Sequence, residues 1–291
     1  MKIERLGELR TALGECPVWH GGRLWLMDCR AGLILALDPS TGEVLTRLQV
    51  PAPAGCFAFH GEGGLVVALK DEIVLLDPAD GSLRSLAVVG VGHPDVRLND
   101  GCAMPDGSFV VGTMHVPREA GEAPLGGVYR LDDALQLQRI APGLGVCNGP
   151  GVNPADGRFY VADSAARMVY SYAVERDGSL SDRRVFVDTE GLASGPDGCC
   201  FDTQGGLWTA LVRVGALARF DLDGRLTARV DLPVAHPASL CFGGAGMDTV
   251  FVTSISDSGR LRASGALDGG VLKVSGLGFR GATRWVCRVG G

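Results

Sequence analysis

Six short apolar runs recur along this chain at intervals of about 40–50 residues, the spacing of blades in a propeller. They are Leu24-Trp25-Leu26-Met27, Leu65-Val66-Val67-Ala68-Leu69, Ser108-Phe109-Val110-Val111, Phe159-Tyr160-Val161-Ala162, Leu207-Trp208-Thr209-Ala210 and Val250-Phe251-Val252-Thr253. Turns rich in Asp, Pro and Gly flank them, among them Asp38-Pro39-Ser40-Thr41-Gly42, Asp77-Pro78-Ala79-Asp80-Gly81 and Asn153-Pro154-Ala155-Asp156-Gly157. Partner strands read at 33–38, 73–77, 127–131, 168–172, 216–221 and 270–274. No window carries a sustained helical stripe, and Gly and Pro interrupt every candidate. The pattern predicts an all-β chain, a six-bladed β-propeller that takes residues 1–291 as a single domain. A pair of β-sandwiches is the alternative, but no linker or composition break divides the chain. Ring closure removes open sheet edges, and the expected closure pairs residues 3–9 with 285–289.

Composition narrows the function. Hydrophobic residues make up 46% and charged residues 21%, enough for a substantial core and too apolar for disorder. The 44 glycines are spread from end to end, as many turns require. A net charge of −6 and the lack of any Lys/Arg run argue against a nucleic-acid partner. No apolar stretch approaches the length of a membrane span. Met1-Lys2-Ile3-Glu4-Arg5 lacks the hydrophobic region of a secretory signal. The nine cysteines are odd in number and form no CxxC pair, so they read as reduced core residues of a cytoplasmic protein.

Four polar stretches carry the chemistry: Gly14-Glu15-Cys16-Pro17, Arg97-Leu98-Asn99-Asp100-Gly101, Cys147-Asn148-Gly149-Pro150 and Gly195-Pro196-Asp197-Gly198. Each sets a carboxylate or carboxamide beside Gly or Pro, where the backbone turns tightly. Each also precedes an apolar, strand-like segment. Residues just before the innermost strands of a propeller converge on its axis. Glu15, Asn99, Asn148 and Asp197 therefore read as oxygen ligands gathered from separate blades around a hard divalent cation. Ordinary Asx turns and one turn glutamate are the alternative reading. Serine chemistry has no Gly-x-Ser-x-Gly elbow to support it, because Gly191-Leu192-Ala193-Ser194-Gly195 spaces its glycines differently. His20, His60, His93 and His236 read as loop residues, whereas His115 follows a strand end and is a candidate pocket residue. Asp163 is either a support for the site or a strand-end turn acid.

Taken in order and spacing, these stretches carry a resemblance. Together with Leu13-Gly14-Glu15-Cys16-Pro17-Val18-Trp19, Gly112-Thr113-Met114-His115, Leu207-Trp208-Thr209-Ala210 and Cys241-Phe242-Gly243-Gly244, they make the chain similar, essentially end to end, to a known family. It resembles the SMP-30/gluconolactonase/luciferin-regenerating-enzyme family, and specifically its bacterial sugar-lactonase branch. The resemblance implies that Glu15, Asn148 and Asp197 hold one divalent cation and that Asp197 doubles as the catalytic carboxylate. It implies substrate contacts from Arg97, Asn99 and His115, with Asn99 close enough to count as a ligand in related propellers. Some animal members place a substrate-contacting glutamate shortly after the Gly-Thr-Met run, where this chain has Pro117. The Gly-Thr-Met-His form looks more like the bacterial pentonolactonase arrangement.

The implied reaction is hydrolysis of an aldonolactone, such as gluconolactone or a pentonolactone, to the aldonic acid. A lactone is an activated ester, so a cation that polarises the carbonyl and acidifies a water suffices without a covalent nucleophile. Ca²⁺, Mg²⁺, Mn²⁺, Zn²⁺ and Fe²⁺ all suit such ligands. Organophosphate or aryl-ester hydrolysis in the same cavity, and a non-catalytic calcium-binding propeller, are the competing readings.

Overall fold

The computed structural model describes residues 1–90, 92–119 and 121–290. Its strands form six four-stranded antiparallel sheets. Blade 1 runs Gly14–His20, Arg23–Asp28, Leu33–Leu37 and Val44–Gln49, from the axis outward. Blades 2 to 5 repeat that order, with inner strands Cys56–Phe59, Val96–Ala103, Cys147–Val152 and Pro196–Phe201. Blade 6 has Pro237–Gly243, Thr249–Ser254 and Val271–Ser275, completed by the N-terminal strand Lys2–Arg5. Inner strands of successive blades touch, and blade 6 meets blade 1. This is the expected six-bladed β-propeller. The one helical element among the described residues is a single 3-10 turn at Glu190–Leu192, and no helix is long and apolar enough to cross a membrane.

The six apolar runs are the second strands, not the innermost ones. They are apolar throughout because each blade is packed on both faces, and successive side chains serve opposite neighbours. Leu24 and Leu26 join a cluster with Phe251 and Val271 of blade 6, while Met27 packs with Phe57 and Val67 of blade 2. In blade 3, Phe109 and Val111 face blade 2, and Val110 meets Phe159 and Val161 of blade 4. The outer strands alternate or face solvent, as in Val44–Gln49 and Leu180–Asp188.

Ring closure corrects one expectation. The N-terminal strand does seal the ring, but its partner is Val271–Ser275, with Lys2 opposite Ser275 and Arg5 opposite Leu272. Val271–Ser275 is already fixed against Thr249–Ser254, so its free edge is the one that needs covering. The segment expected there instead crosses the face where inner strands end. Cys287 donates its N–H to Phe59 O and accepts from Gly61, Arg288 N–H reaches Gly107 O, and Gly281 N–H reaches Met247 O. These contacts lie on the hairpins that join inner to second strands in blades 2, 3 and 6.

Candidate active site

The stretches singled out in the sequence do not precede the innermost strands; they are the innermost strands, each broken by a bulge. Pairing shifts register between Glu15 and Val18, Leu98 and Gly101, Asn148 and Gly151, and Pro196 and Cys199. A bulge inserts an unpaired residue and re-aims neighbouring side chains. Here it turns one polar residue per blade toward the axis in blades 1, 3, 4 and 5. The inner strand of blade 2 pairs without a shift and brings no polar side chain.

Two glycines make the bulges possible. Gly149 adopts φ +51°, and a Cβ there would lie 2.5 Å from Cys199 N in the next blade. A Cβ on Gly198 would collide with Ser239 of blade 6, backbone included. Gly149→Ala should therefore combine left-handed strain of about 1–2 kcal/mol with an overpacking penalty of about 1–3 kcal/mol. A thermal melt checks this, and an unchanged Tm would show that the two inner strands can separate freely.

The axial side chains form a connected network. Arg97 Nη1 donates to Asn99 Oδ1 at 3.2 Å and to Leu98 O at 2.8 Å. Asn99 Nδ2 donates to Asn148 Oδ1 at 2.8 Å and to Cys147 O at 2.9 Å. Asn148 Nδ2 donates to Ser164 Oγ at 2.9 Å, and that hydroxyl donates to Pro196 O at 2.6 Å, beside Asp197. Blades 3 and 4 are thus tied through the candidate residues themselves, and blade 4 reaches blade 5 through Ser164 and the Pro196 carbonyl. Asn148 and Asp197 are buried, whereas Glu15, Arg97 and Asn99 keep partial exposure.

Glu15 and Asp197 act on each other electrostatically. Burial, followed by the Asp197 and then the Asp100 charge, pushes the Glu15 carboxyl well up against the opposing pull of Arg97. Burial and then Asp100 do the same to Asp197. Asp197 Oδ1 is buried and has no hydrogen-bond partner among the described residues. Three acids gathered this way repel one another unless positive charge joins them.

Asp100 is the residue that sequence reasoning left without a role. It accepts Gly149 N–H at 2.7 Å and Gly101 N–H at 2.8 Å, pinning the bulge that presents Asn148. Adjacent strand residues ordinarily point apart, so a role for Asp100 beside Asn99 was hidden until the bulge was known. Ser164 was equally hidden, since nothing marks a lone serine in a turn.

His115 stands apart from this network. Its side chain is fully buried, its Nδ1 accepts Leu125 N–H, and its Nε2 faces Glu122 at 3.7 Å. Asp163 proves to be a strand-end acid that accepts N–H groups from Gly145, Val146, Ala165 and Ala166. It supports the entry to the Asn148 strand without entering the site. Ser194 is buried, donates to Gly195 O and accepts Arg213 N–H, with no histidine attached. Cys16 and Cys147 turn their thiols to Phe57 O and Gly127 O, and all nine cysteines are free.

A cavity of about 340 Å³ lies along the axis toward the C-terminal crossing, lined by Phe57, Cys102, Cys199, Phe201, Arg284 and Trp285 among others. Asp100 lines it, whereas Glu15, Arg97, Asn99, Asn148 and Asp197 do not. It is the lower channel beneath the bulges, and the polar network rather than this space is the candidate site.

These features define a six-bladed propeller with an acid-rich axial site. Residues 13–256 match the SMP-30/Gluconolactonase/LRE-like region, and the chain belongs to that family. It is 35% identical over 248 residues to the 6-deoxy-6-sulfogluconolactonase of Pseudomonas putida, covering 84% of each chain. It is 32% identical over 262 residues to the pentonolactonase XacC of Haloferax volcanii, covering 89% of this chain and 87% of that one. Among solved structures, a calcium-binding protein, regucalcin, from Agrobacterium tumefaciens superposes with a TM-score of 0.87 at 25% identity, covering 98% and 97% of the two chains.

Proposed function

We propose that the protein is a sugar lactonase that opens aldonolactones with one divalent cation held by Glu15, Asn148 and Asp197. The observation that carries this reading is Asp197 Oδ1, buried and unpartnered among the described residues, with the Glu15 and Asp100 carboxylates within charge range of it. The donor set fits a hard cation: carboxylate and carboxamide oxygens from rigid strands, with a lone pair left free. The names of the two lactonase relatives support the reaction class, and the calcium-binding neighbour supports a divalent ion.

Hydrolysis adds the oxygen of water to the acyl carbon, breaks the ring C–O bond and leaves a hydroxyl and a carboxylate, with one proton released. A bound divalent cation supplies carbonyl polarisation and a water of lowered pKa. Glu15, Asn148 and Asp197 would hold that ion from inner strands packed in one ring. With one carboxylate oxygen given to the ion, Asp197 would orient the attacking water with the other. Arg97 spends only Nη1 on protein acceptors among the described residues, so its other N–H groups bind sugar hydroxyls and the oxyanion that develops on attack. Asn99, both of whose N–H groups are taken by Asn148 and Cys147, accepts from a sugar hydroxyl through Oδ1. His115, fully buried and turned to Leu125 and Glu122, lies outside this network and has no substrate contact in this scheme.

Chelator dialysis followed by separate readdition of each cation tests the reading, with acid release measured on a panel of fresh pentono-, hexono- and sulfo-substituted lactones. Turnover should vanish on stripping and return with at least one ion. Full activity in the stripped protein would overturn metal dependence. Ion binding without turnover of any lactone would favour the non-catalytic alternative, and faster turnover of a phosphotriester would favour the organophosphatase.

A further inference from the structure

We propose a second cation site on the rim of blade 3, formed by His93, His115 and Glu122, that takes a borderline transition ion such as Zn²⁺ or Co²⁺. It uses none of the axial residues and does not depend on the lactonase reading.

The three side chains come from three segments. His93 leads into the inner strand Val96–Ala103, His115 ends the second strand Phe109–His115, and Glu122 lies on the following loop. Each offers one ligand atom, and all three atoms lie within 4.8 Å of one another. The rings of His93 and His115 meet edge to face, with centroids 4.9 Å apart.

The second observation is at His115. Its side chain is fully buried, yet Nε2 has no hydrogen-bond partner among the described residues. Its nearest acidic neighbour, Glu122 Oε1, is 3.7 Å away, too far for a hydrogen bond. Two atoms bound to one ion at about 2.0–2.2 Å sit roughly 3–4 Å apart, so this gap suits an ion between them. Imidazole nitrogen with one carboxylate selects zinc-like ions over Ca²⁺ or Mg²⁺.

One supporting contact already orients a ligand. Glu122 Oε2 accepts Glu119 N–H at 3.0 Å, which leaves Oε1 free. His115 Nδ1 and His93 Nδ1 accept Leu125 N–H and Asp95 N–H, both at 3.3 Å. These two contacts are long, and they place each ring proton on Nε2 in the ion-free protein. Loading requires the proton on Nδ1 instead. It therefore exchanges two weak contacts for two metal–nitrogen bonds, with a small backbone adjustment at 93–95 and 122–125. Because Val96 pairs with His115, the ion would brace the strand one residue before Arg97.

Cobalt titration of chelator-stripped protein tests this, read by bound metal per chain and by visible d–d absorption. Wild type should bind one more equivalent than the His93→Asn/Glu122→Gln double variant. A Glu15→Gln/Asp197→Asn protein should keep the rim equivalent and its spectrum. Histidine NMR of wild type gives a second readout, in which Zn²⁺ should shift the His93 and His115 ring resonances together. Equal stoichiometry and spectra in wild type and the His93/Glu122 variant, or unshifted rings at saturating Zn²⁺, would overturn the proposal. Failure of the axial reading would look different: the Glu15/Asp197 variant would then lose no equivalent at all.

Discussion

Asp197→Asn is expected to lower kcat/KM for lactone opening by about 10²–10⁴-fold while the propeller stays folded. The substitution keeps shape and volume and removes the charge and the free carboxylate oxygen. In the ion-free protein that charge is unfavourable, since burial and the Asp100 carboxylate both push the Asp197 carboxyl up. The variant should therefore melt at the same temperature as the stripped wild type, or higher. Adding the activating cation should raise the Tm of wild type through preferential binding to the folded state and leave the variant unmoved. Activity lost, intrinsic stability kept and ion-induced stabilisation abolished is the signature of a site residue that is stability-neutral or worse without its ligand. A variant that melts well below stripped wild type would assign Asp197 to the framework instead. One that retains full kcat/KM would remove it from the chemistry.

The blade count was legible because burial on both faces writes the second and third strands as apolar runs, and the Asp-Gly turns that flank this pair are local. Asp38 shows the locality: its carboxylate accepts Ser40 N–H and Thr41 N–H within its own turn. The outer strands were not legible, since Leu180–Asp188 is mostly polar and faces solvent. The innermost strands were hidden for a different reason. Asn148-Gly149-Pro150 and Pro196-Asp197-Gly198 have turn composition, and they are strands only because neighbouring inner strands press against them around the axis. The residues were thus readable as a set, while the bulges that aim them, and the role of Asp100 in pinning one, depend on inter-blade contacts. The closing strand was misplaced because 285–289 and 271–275 are comparably apolar. What decides between them is that Val271–Ser275 already pairs within blade 6.

The largest stability effect should come from Asp202, at the end of the blade 5 inner strand. Its side chain and that of Arg219 are 0% and 6% exposed. Asp202 Oδ2 accepts Arg219 Nε at 2.6 Å and Trp208 Nε1 at 2.8 Å, and Oδ1 accepts Arg219 Nη2 at 3.2 Å and Gly206 N–H at 2.9 Å. Arg219 also donates to Thr227 Oγ1 and lies over the Phe279 ring at 4.3 Å, so the pair anchors the C-terminal crossing. Asp202→Asn leaves a buried guanidinium without its counter-charge, which costs about 3–5 kcal/mol and lowers Tm by roughly 10 °C. Adding Arg219→Met should recover much of the loss, because an apolar replacement of a buried pair is often neutral. Burial pushes the Asp202 carboxyl up, but the Arg219 and Trp208 hydrogen bonds, the Gly206 N–H and the Arg219 charge outweigh it and hold the group below its usual range. A depressed acid contributes stability above its unfolded pKa of about 3.9 and loses it as pH falls through the folded value. Urea midpoints of wild type and Asp202→Asn should therefore differ most at neutral pH and converge as the pH drops below about 4. A constant difference across that range would mean that packing, not the carboxylate charge, sets the loss.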